Sequence, residues 1–325
     1  MKILLTQPGK LNTVPMGRFA RDALVQLGHE VVEFDVTPSW HEKILGTQGR
    51  YAAMNRRLRR TAERERPDLM LAVFGLDIAA ETLDFLKHRG IPRACWWLND
   101  PFQFRRSLAQ AGGYDFIFSN SLGSVADYRR EGIGHAHWLP VACAPEVHRR
   151  QEPRPEYRCE ICFAGDWSPL REAWCEKLAG HFDLRIFGPW KKKLPAVSRL
   201  HSCLVDGFFT PEQMAGMFAS AAVVFNLHSW YGKWEHGTNP RLFEAAGCGA
   251  CQVVDWKMDI PHLFDCDNQI VTYHDEDELI GRVRELLTDD ALRTALGKNA
   301  RRRALAEHTY VHRMKKLAGI VEHGA

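Results

Sequence analysis

The sequence lacks any apolar run long enough to cross a membrane, and its opening MKILLTQPGK has too few apolar positions for a signal-peptide core. We therefore expect a cytoplasmic protein with at most peripheral membrane contact. The net charge of +3 is too small to indicate a nucleic-acid partner. The basic run at 56–66 has helical spacing and predicts a solvated helix face, with a membrane or polyanion surface as the alternative.

Signatures of metalloproteases and serine hydrolases are also missing. None of the fifteen histidines falls in an H-E-x-x-H pattern, and no G-x-S-x-G is present. The nine cysteines are scattered. Two C-x-x-C pairs occur, but the one at 159–162 spans a predicted strand, where residues three apart point to opposite faces. We expect free thiols, no metal site and no bound cofactor.

The length and the apolar content suffice for two cores. The chain has 325 residues, of which 45% are hydrophobic and 26% charged, and this length predicts about two domains. Apolar runs alternate with amphipathic segments in both halves, which predicts α/β architecture with doubly wound parallel sheets. We predict Rossmann-like domains at 1–143 and 157–305, a linker at 144–158 and a C-terminal helix at 306–325.

Ligands of such sheets bind beyond the carboxyl ends of the strands, so the loops there are the candidate sites. Gly165 lets the backbone approach a ligand and Arg171 brings a guanidinium to a phosphate; an ordinary capped turn is the alternative. At the next strand end, Gly188 and Pro189 predict a tight turn, and Trp190 is predicted to be an exposed flat surface for a base or sugar. A turn with a packed aromatic ring is the alternative.

The most informative loop reads HGTNPRLFEAAGCGA. Asn239 is the predicted N-cap of a helix, and Arg241 lies in its first turn, where a cation is unfavourable unless an anion offsets it. Glu244 shares the face of Arg241, so it can accept ribose hydroxyls while the arginine holds a diphosphate; a helical salt bridge is the alternative. Gly247 and Gly249 are predicted to let the helix pack closely on the next strand.

These segments resemble the C-terminal domain of the CgeB/YkvP-like family, a branch of the GT-B glycosyltransferases related to glycosyltransferase group 1. The resemblance covers most of residues 115–315, and the first hundred residues match only loosely. The matching pieces are Phe118-Ser119 with Tyr128 and Gly132, Leu139-Pro140, Cys162 to Gly165, Arg171, Phe187 to Pro189, Gly207 with Met214, Asn226 to His228, Asn239 to Gly249, and His308 to Tyr310 with Arg313.

The resemblance implies a GT-B fold, in which two Rossmann-like domains face each other across a cleft. Domain 1–143 would be the acceptor side, and the helix at 306–325 would cross back toward it. Domain 157–305 would bind a UDP-, GDP- or dTDP-linked sugar. The sugar would be transferred to a glycan, protein or small-molecule acceptor without a metal, and group 1 enzymes retain the anomeric configuration of the sugar. The implied donor-binding residues are Gly165, Arg171, Gly188, Pro189, Trp190, Asn239, Arg241 and Glu244. Of the paired group 1 glutamates, Glu244 fits the second, and Glu235 lies one residue too far upstream for the first.

Two residues are candidates for catalysis. Asp100 ends the apolar strand ACWWL as a candidate general base or acceptor contact, with a turn before Pro101 as the alternative. His228 ends a strand of the second half, and the loop 7–15 is a candidate acceptor contact. Two other functions stay open: a non-catalytic protein that binds nucleotide sugars or glycans on the same scaffold, and a nucleotide-sugar epimerase or hydrolase.

Overall fold

The structure is a computed structural model that describes residues 1–8, 15–40, 42–75 and 78–324, without the side chain of Lys43. The described chain divides into two compact units. The first consists of residues 1–8, 15–140 and 310–324, and the second of residues 141–309.

The first unit is a six-stranded parallel sheet in the order β2-β1-β3-β4-β5-β6. Its strands are β1 (Lys2–Gln7), β2 (Glu30–Asp35), β3 (Leu69–Val73), β4 (Arg93–Trp97), β5 (Phe116–Ser119) and β6 (Ala136–Trp138). Its helices are α1 (Met16–Gln26), α2 (Thr47–Glu65), α3 (Ala80–His88), α4 (Phe104–Ala111), α5 (Leu122–Arg130) and, from the far end of the chain, α11 (Tyr310–Gly324).

The central strands of this sheet explain its core. All five residues of β3 and of β4 are buried, as expected for strands covered on both faces, and their sequences are almost continuously apolar. Helix α11 packs on α1 through an apolar stripe that includes Met314, Leu317 and Val321. The ring of Tyr310 lies 5.2 Å from that of Phe19.

The second unit repeats the plan with the strand order β12-β11-β10-β7-β8-β9, again all parallel. Its strands are β7 (Cys159–Ala164), β8 (Leu184–Gly188), β9 (Leu204–Asp206), β10 (Ala221–Asn226), β11 (Gln252–Asp255) and β12 (Val271–Tyr273). Its helices are α6 (Pro169–Leu178), α7 (Pro211–Ser220), α8 (Pro240–Cys248), α9 (Glu276–Thr288) and α10 (Asp290–Glu307). The predicted class, α/β with two doubly wound parallel sheets, is confirmed.

Some local features differ from the sequence expectations. Helix α4 and strand β9 were not predicted, since both are short. Segment 144–158, predicted to be a linker, is part of the second unit: His148 is 1% exposed, and the main-chain N–H of Arg154 donates to Ser220 Oγ. No helix among the described residues has the length and apolarity needed to span a bilayer.

Candidate functional site

Strands β7 and β10 are neighbours at the centre of the second sheet, and the chain leaves them toward opposite edges. Ligands of doubly wound folds bind at this kind of switch point, outside the carboxyl ends of the strands. Helices α6 and α8 both begin here, capped by Ser168 and Asn239. The two loops that carry most of the predicted donor residues therefore meet at one place.

Three successive carbonyl groups of the loop after β7 each accept a side-chain hydrogen bond. Arg241 Nη2 donates to the oxygen of Ala164 at 3.1 Å, Trp190 Nε1 to that of Gly165 at 2.8 Å, and Arg171 Nη1 to that of Asp166 at 2.9 Å. These contacts pair three successive main-chain acceptors and so hold the loop in one conformation.

Trp190 is therefore placed differently from the prediction. It is 0% exposed and packs edge-on against Phe163, so it cannot stack on a base or sugar at the surface. Its role in the fold is to hold the Gly165 loop, because a buried indole N–H needs an acceptor. Gly188 permits this approach: a Cβ there would lie 2.2 Å from the Gly165 oxygen. Pro189, which is half-buried, links Gly188 to Trp190.

Arg171 and Arg241 form a pair of guanidinium groups at the switch point. Arg171 Nη2 also donates to the Leu227 oxygen beyond β10, at 3.3 Å. Burial, with a smaller contribution from the charge of Arg241, lowers the pKa of Arg171. Within the described chain Arg171 forms no ion pair, and the buried Nε atoms of both arginines have no hydrogen-bond partner. The pair thus retains donors and positive charge that protein groups do not use.

Glu244 is the carboxylate paired with Arg241, one turn along α8, and accepts a hydrogen bond from Arg241 Nη1. The two side chains are 12% and 14% exposed, so the pair is largely desolvated but still reaches the surface. Arg241 also lies over the ring of Phe218, 4.9 Å from its centroid. The helical salt bridge that the sequence analysis gave as an alternative is therefore present, and its geometry leaves Glu244 oxygens free for a second donor.

Asn239 caps α8 and is held on two sides. Its side chain accepts from the N–H of Leu242, and its amide exchanges two hydrogen bonds with Asn226, at 2.7 and 3.1 Å. Its own N–H donates to His228 Nε2 at 3.1 Å. His228 Nδ1 then donates to Asp255 at 2.7 Å. The imidazole is therefore a neutral Nδ1–H tautomer that positions the helix start, because its Nε2 accepts.

Behind His228 lies a buried acid–base pair that the sequence analysis missed. Asp255 and Lys257 are 0% and 1% exposed, and Lys257 Nζ lies 3.0 Å from Asp255 Oδ2. Burial by itself raises the pKa of Asp255, but His228 and Lys257 beside it outweigh that effect and lower it. The only sequence signal was an acid at the end of a predicted strand, so the contact could not be foreseen.

The glycines at the end of α8 serve a different purpose from the one predicted. A Cβ on Gly247 would meet Cys143 and His148 rather than the next strand, and Gly249 ends the helix with φ of +73°. Helix α10 approaches this end so closely that a Cβ on Gly297 would lie 2.2 Å from the Gly249 oxygen. The glycine-rich exit is thus a helix-packing and capping feature.

Asp100 lies inside the first unit, only 1% exposed, before a cis peptide to Pro101. Its carboxylate accepts hydrogen bonds from Ser107, Ser119 and Tyr128, at 2.7, 2.7 and 3.1 Å. Burial raises its pKa to about 6, against the opposing effect of these hydroxyl groups. This position corrects the expectation of a carboxylate at an open edge and matches the structural alternative. His228, 0% exposed, is likewise enclosed.

Two further predictions concern loops. Residues 9–14 of the predicted acceptor loop 7–15 lie outside the described residues. Glu235 is exposed, and its main-chain oxygen accepts from the N–H of Met258 at 2.7 Å. Its side chain is therefore not part of the arginine pair's network among the described residues.

Comparison with known proteins agrees with this architecture. Residues 170–319 match the family model described as glycosyl transferase-like. The chain superimposes on sucrose-phosphate synthase from Thermosynechococcus elongatus with a TM-score of 0.72, at 12% identity and over 99% of this chain and 98% of the other. It also superimposes on Anabaena HepE, which was solved in complex with UDP and glucose, with a TM-score of 0.66. The two are 14% identical, and the match covers 99% of this chain and 100% of HepE. The chain therefore has the fold of GT-B glycosyltransferases, and residues 170–319 are similar to glycosyl transferases.

The chain is also related to the spore protein CgeB of Bacillus subtilis (strain 168). The two are 25% identical over 221 residues, which are 64% of this chain and 68% of CgeB. The CgeB-like relationship predicted from the sequence motifs is thereby confirmed.

Proposed function

We propose that the second unit binds the diphosphate of a UDP-, GDP- or dTDP-linked sugar at Arg171, Arg241 and the first turn of α8, and that the protein transfers the sugar to an acceptor. The observation that carries the proposal is the arginine pair, whose Nε–H groups have no protein acceptor among the described residues. Glu244 balances the charge of Arg241, but no described carboxylate balances that of Arg171, so the desolvated pair keeps a net positive charge that favours an anion. The complex of HepE with UDP and glucose supports a nucleotide as that anion.

In this proposal each group has a definite task. The guanidinium groups and the start of α8 stabilise the negative charge that develops on the leaving diphosphate, as a metal ion does in other transferases. Glu244 accepts the ribose hydroxyls, and Asn239 sets the direction of the helix start. The resemblance to group 1 supports a metal-independent reaction with retention of the anomeric configuration. A glycan, a protein or a small molecule would be the acceptor.

The binding step is tested by calorimetric titration of UDP, GDP and dTDP. Arg241→Ala and Glu244→Ala should each weaken the nucleotide affinity by about 1 to 3 kcal/mol, the range for a charge-assisted contact. Arg130→Ala is the matched control, because Arg130 forms an ion pair of the same spacing with Asp127 in the first unit. Equal affinities of both site variants and the control would place the nucleotide elsewhere.

The reaction is tested by incubating the protein with the nucleotide sugar that binds, with and without candidate acceptors, and by following products by mass spectrometry and NMR. Sugar transfer would produce a new glycoside. We expect its anomeric NMR signal to show the configuration of the donor sugar, and its yield to be unchanged when a chelator is added. Free sugar without acceptor would indicate a hydrolase, an isomerised nucleotide sugar would indicate an epimerase, and binding without turnover would indicate a binding protein.

A further inference from the structure

The first unit has an apolar surface around the start of α2. Trp40, Ile44 and Leu45 are 72%, 86% and 39% exposed. These three are among nine large hydrophobic residues exposed in the described chain, and they fall within six consecutive positions, whereas the other six are spread along the chain. Single exposed apolar residues are ordinary, but a cluster of this kind marks an interaction surface.

The helix that follows this cluster carries a strong positive charge. Helix α2 contains six arginines and two glutamates, Glu63 and Glu65. Glu63 pairs with Arg89 outside the helix, and Glu65 pairs both with Lys2 and with Arg64 of the same helix. Neither glutamate pairs with Arg56 or Arg60.

Two arginines of this helix stand out. Arg56 and Arg60 are exposed and have no ion pair or hydrogen bond with any described residue. They are four residues apart on one helix, a spacing at which like charges repel. No described carboxylate pairs with either of them, so both remain available to an anion outside the chain.

Leu45 and these arginines lie on one side of the helix. A Cβ on Gly49 would lie 3.1 Å from the side chain of Leu45, so Leu45 covers the face of the helix on which Gly49 sits. Arg56 and Arg60 follow Gly49 by seven and eleven residues and so share that face. Arg50 adds a contact between the two parts, since its Nε donates to the Leu45 oxygen.

We propose that Trp40, Ile44 and Leu45 with Arg56 and Arg60, the basic-apolar surface, dock the protein on an anionic lipid bilayer. A bilayer accepts both chemistries at once: apolar side chains enter the interfacial zone while guanidinium groups stay at the lipid phosphates. A nucleic acid would offer phosphates, but it gives the aliphatic side chains of Ile44 and Leu45 no apolar layer to enter. The proposal does not depend on the identity of the donor.

The test is flotation of the full chain with two kinds of vesicle, phosphatidylcholine alone and a mixture with roughly one third phosphatidylglycerol. We expect binding to the mixed vesicles only, weakened by salt, because the attraction is partly electrostatic. Arg56→Glu with Arg60→Glu, and separately Ile44→Ser with Leu45→Ser, should each lower the partition coefficient at least about tenfold.

Matched controls are available in the second unit. Lys298 and Arg302 are exposed and four residues apart on α10, so Lys298→Glu with Arg302→Glu makes the same charge change elsewhere. Phe208→Ser removes an aromatic residue that is 73% exposed. Both controls should stay within about twofold of the parent chain.

Several outcomes would overturn the proposal. They are no flotation of the parent chain with mixed vesicles, equal flotation with neutral ones, or equal losses in the controls. Binding to single-stranded RNA that survives the Ile44 and Leu45 changes, without vesicle binding, would assign the surface to a polyanion. The salt titration uses the parent chain and so does not depend on any variant folding.

Discussion

Replacing His228 by phenylalanine tests whether the start of α8 is positioned by the buried chain behind it. The change keeps the ring and removes two hydrogen bonds, one from the Asn239 N–H at 3.1 Å and one to Asp255 at 2.7 Å. An unpaired buried N–H costs about 1 to 3 kcal/mol, and losing a hydrogen bond to a carboxylate costs about 1.5 to 3 kcal/mol. Asp255 still accepts a hydrogen bond from the main-chain N–H of residue 228 and still pairs with Lys257. We therefore expect the free energy of unfolding to fall by about 3 to 4 kcal/mol in total.

For a unit of this size that loss lowers the melting temperature of the second unit by roughly 10 °C. Thermal unfolding by calorimetry measures it, with His181→Phe as the control because His181 is an exposed histidine of the same unit. Nucleotide affinity should fall as well, since Asn239 loses one of its two supports. If the melting temperature falls by less than about 2 °C, or by as much in the control, the positioning role of His228 is refuted.

Three further changes follow from buried contacts. Burial raises the pKa of Asp100 from 3.8 to about 6, so the folded form keeps its proton to higher pH than the unfolded one. Stability therefore falls by roughly 3 kcal/mol in total as the pH rises from below 3.8 to above 6, and Asp100→Asn should flatten that fall in denaturant titrations. Trp190→Phe should cost about 1 to 3 kcal/mol of unfolding free energy and weaken nucleotide binding, because the Gly165 oxygen loses its donor. Gly297→Ala should destabilise by about 1 to 3 kcal/mol in thermal melts, whereas Gly281→Ala, with open space around its Cβ, should stabilise slightly.

The fold was predictable where apolar runs and caps repeat. Helix α7 begins at Pro211 and ends at Ser220 as the sequence predicts, because Thr210 forms a capping box with Gln213. Strand β9 has no buried residue and only three positions, so no apolar period marks it. Short elements of this kind are set by their neighbours, and a single sequence does not reveal them.

In the candidate site, too, local features were predictable from the sequence and long-range contacts were not. The sequence predicts that Asn239 caps a helix and that Arg241 and Glu244 share a face, because both follow from local spacing. It does not reveal that Trp190 turns inward, since its acceptor is 25 residues away, or that Asp255 supports His228 across 27 residues. Contacts over such separations depend on strand order.

The return of α11 to the first sheet has a consequence for synthesis on the ribosome. The ring of Tyr310 lies 6.1 Å from that of Trp96, and Arg313 Nε donates to the Pro140 oxygen at 2.8 Å. During synthesis, all of the second unit (residues 141–309) is therefore made before the first unit receives α11. Domains usually mature in the order in which they emerge, and this topology reverses that order, leaving Phe19 and Trp96 in need of cover until α11 has emerged.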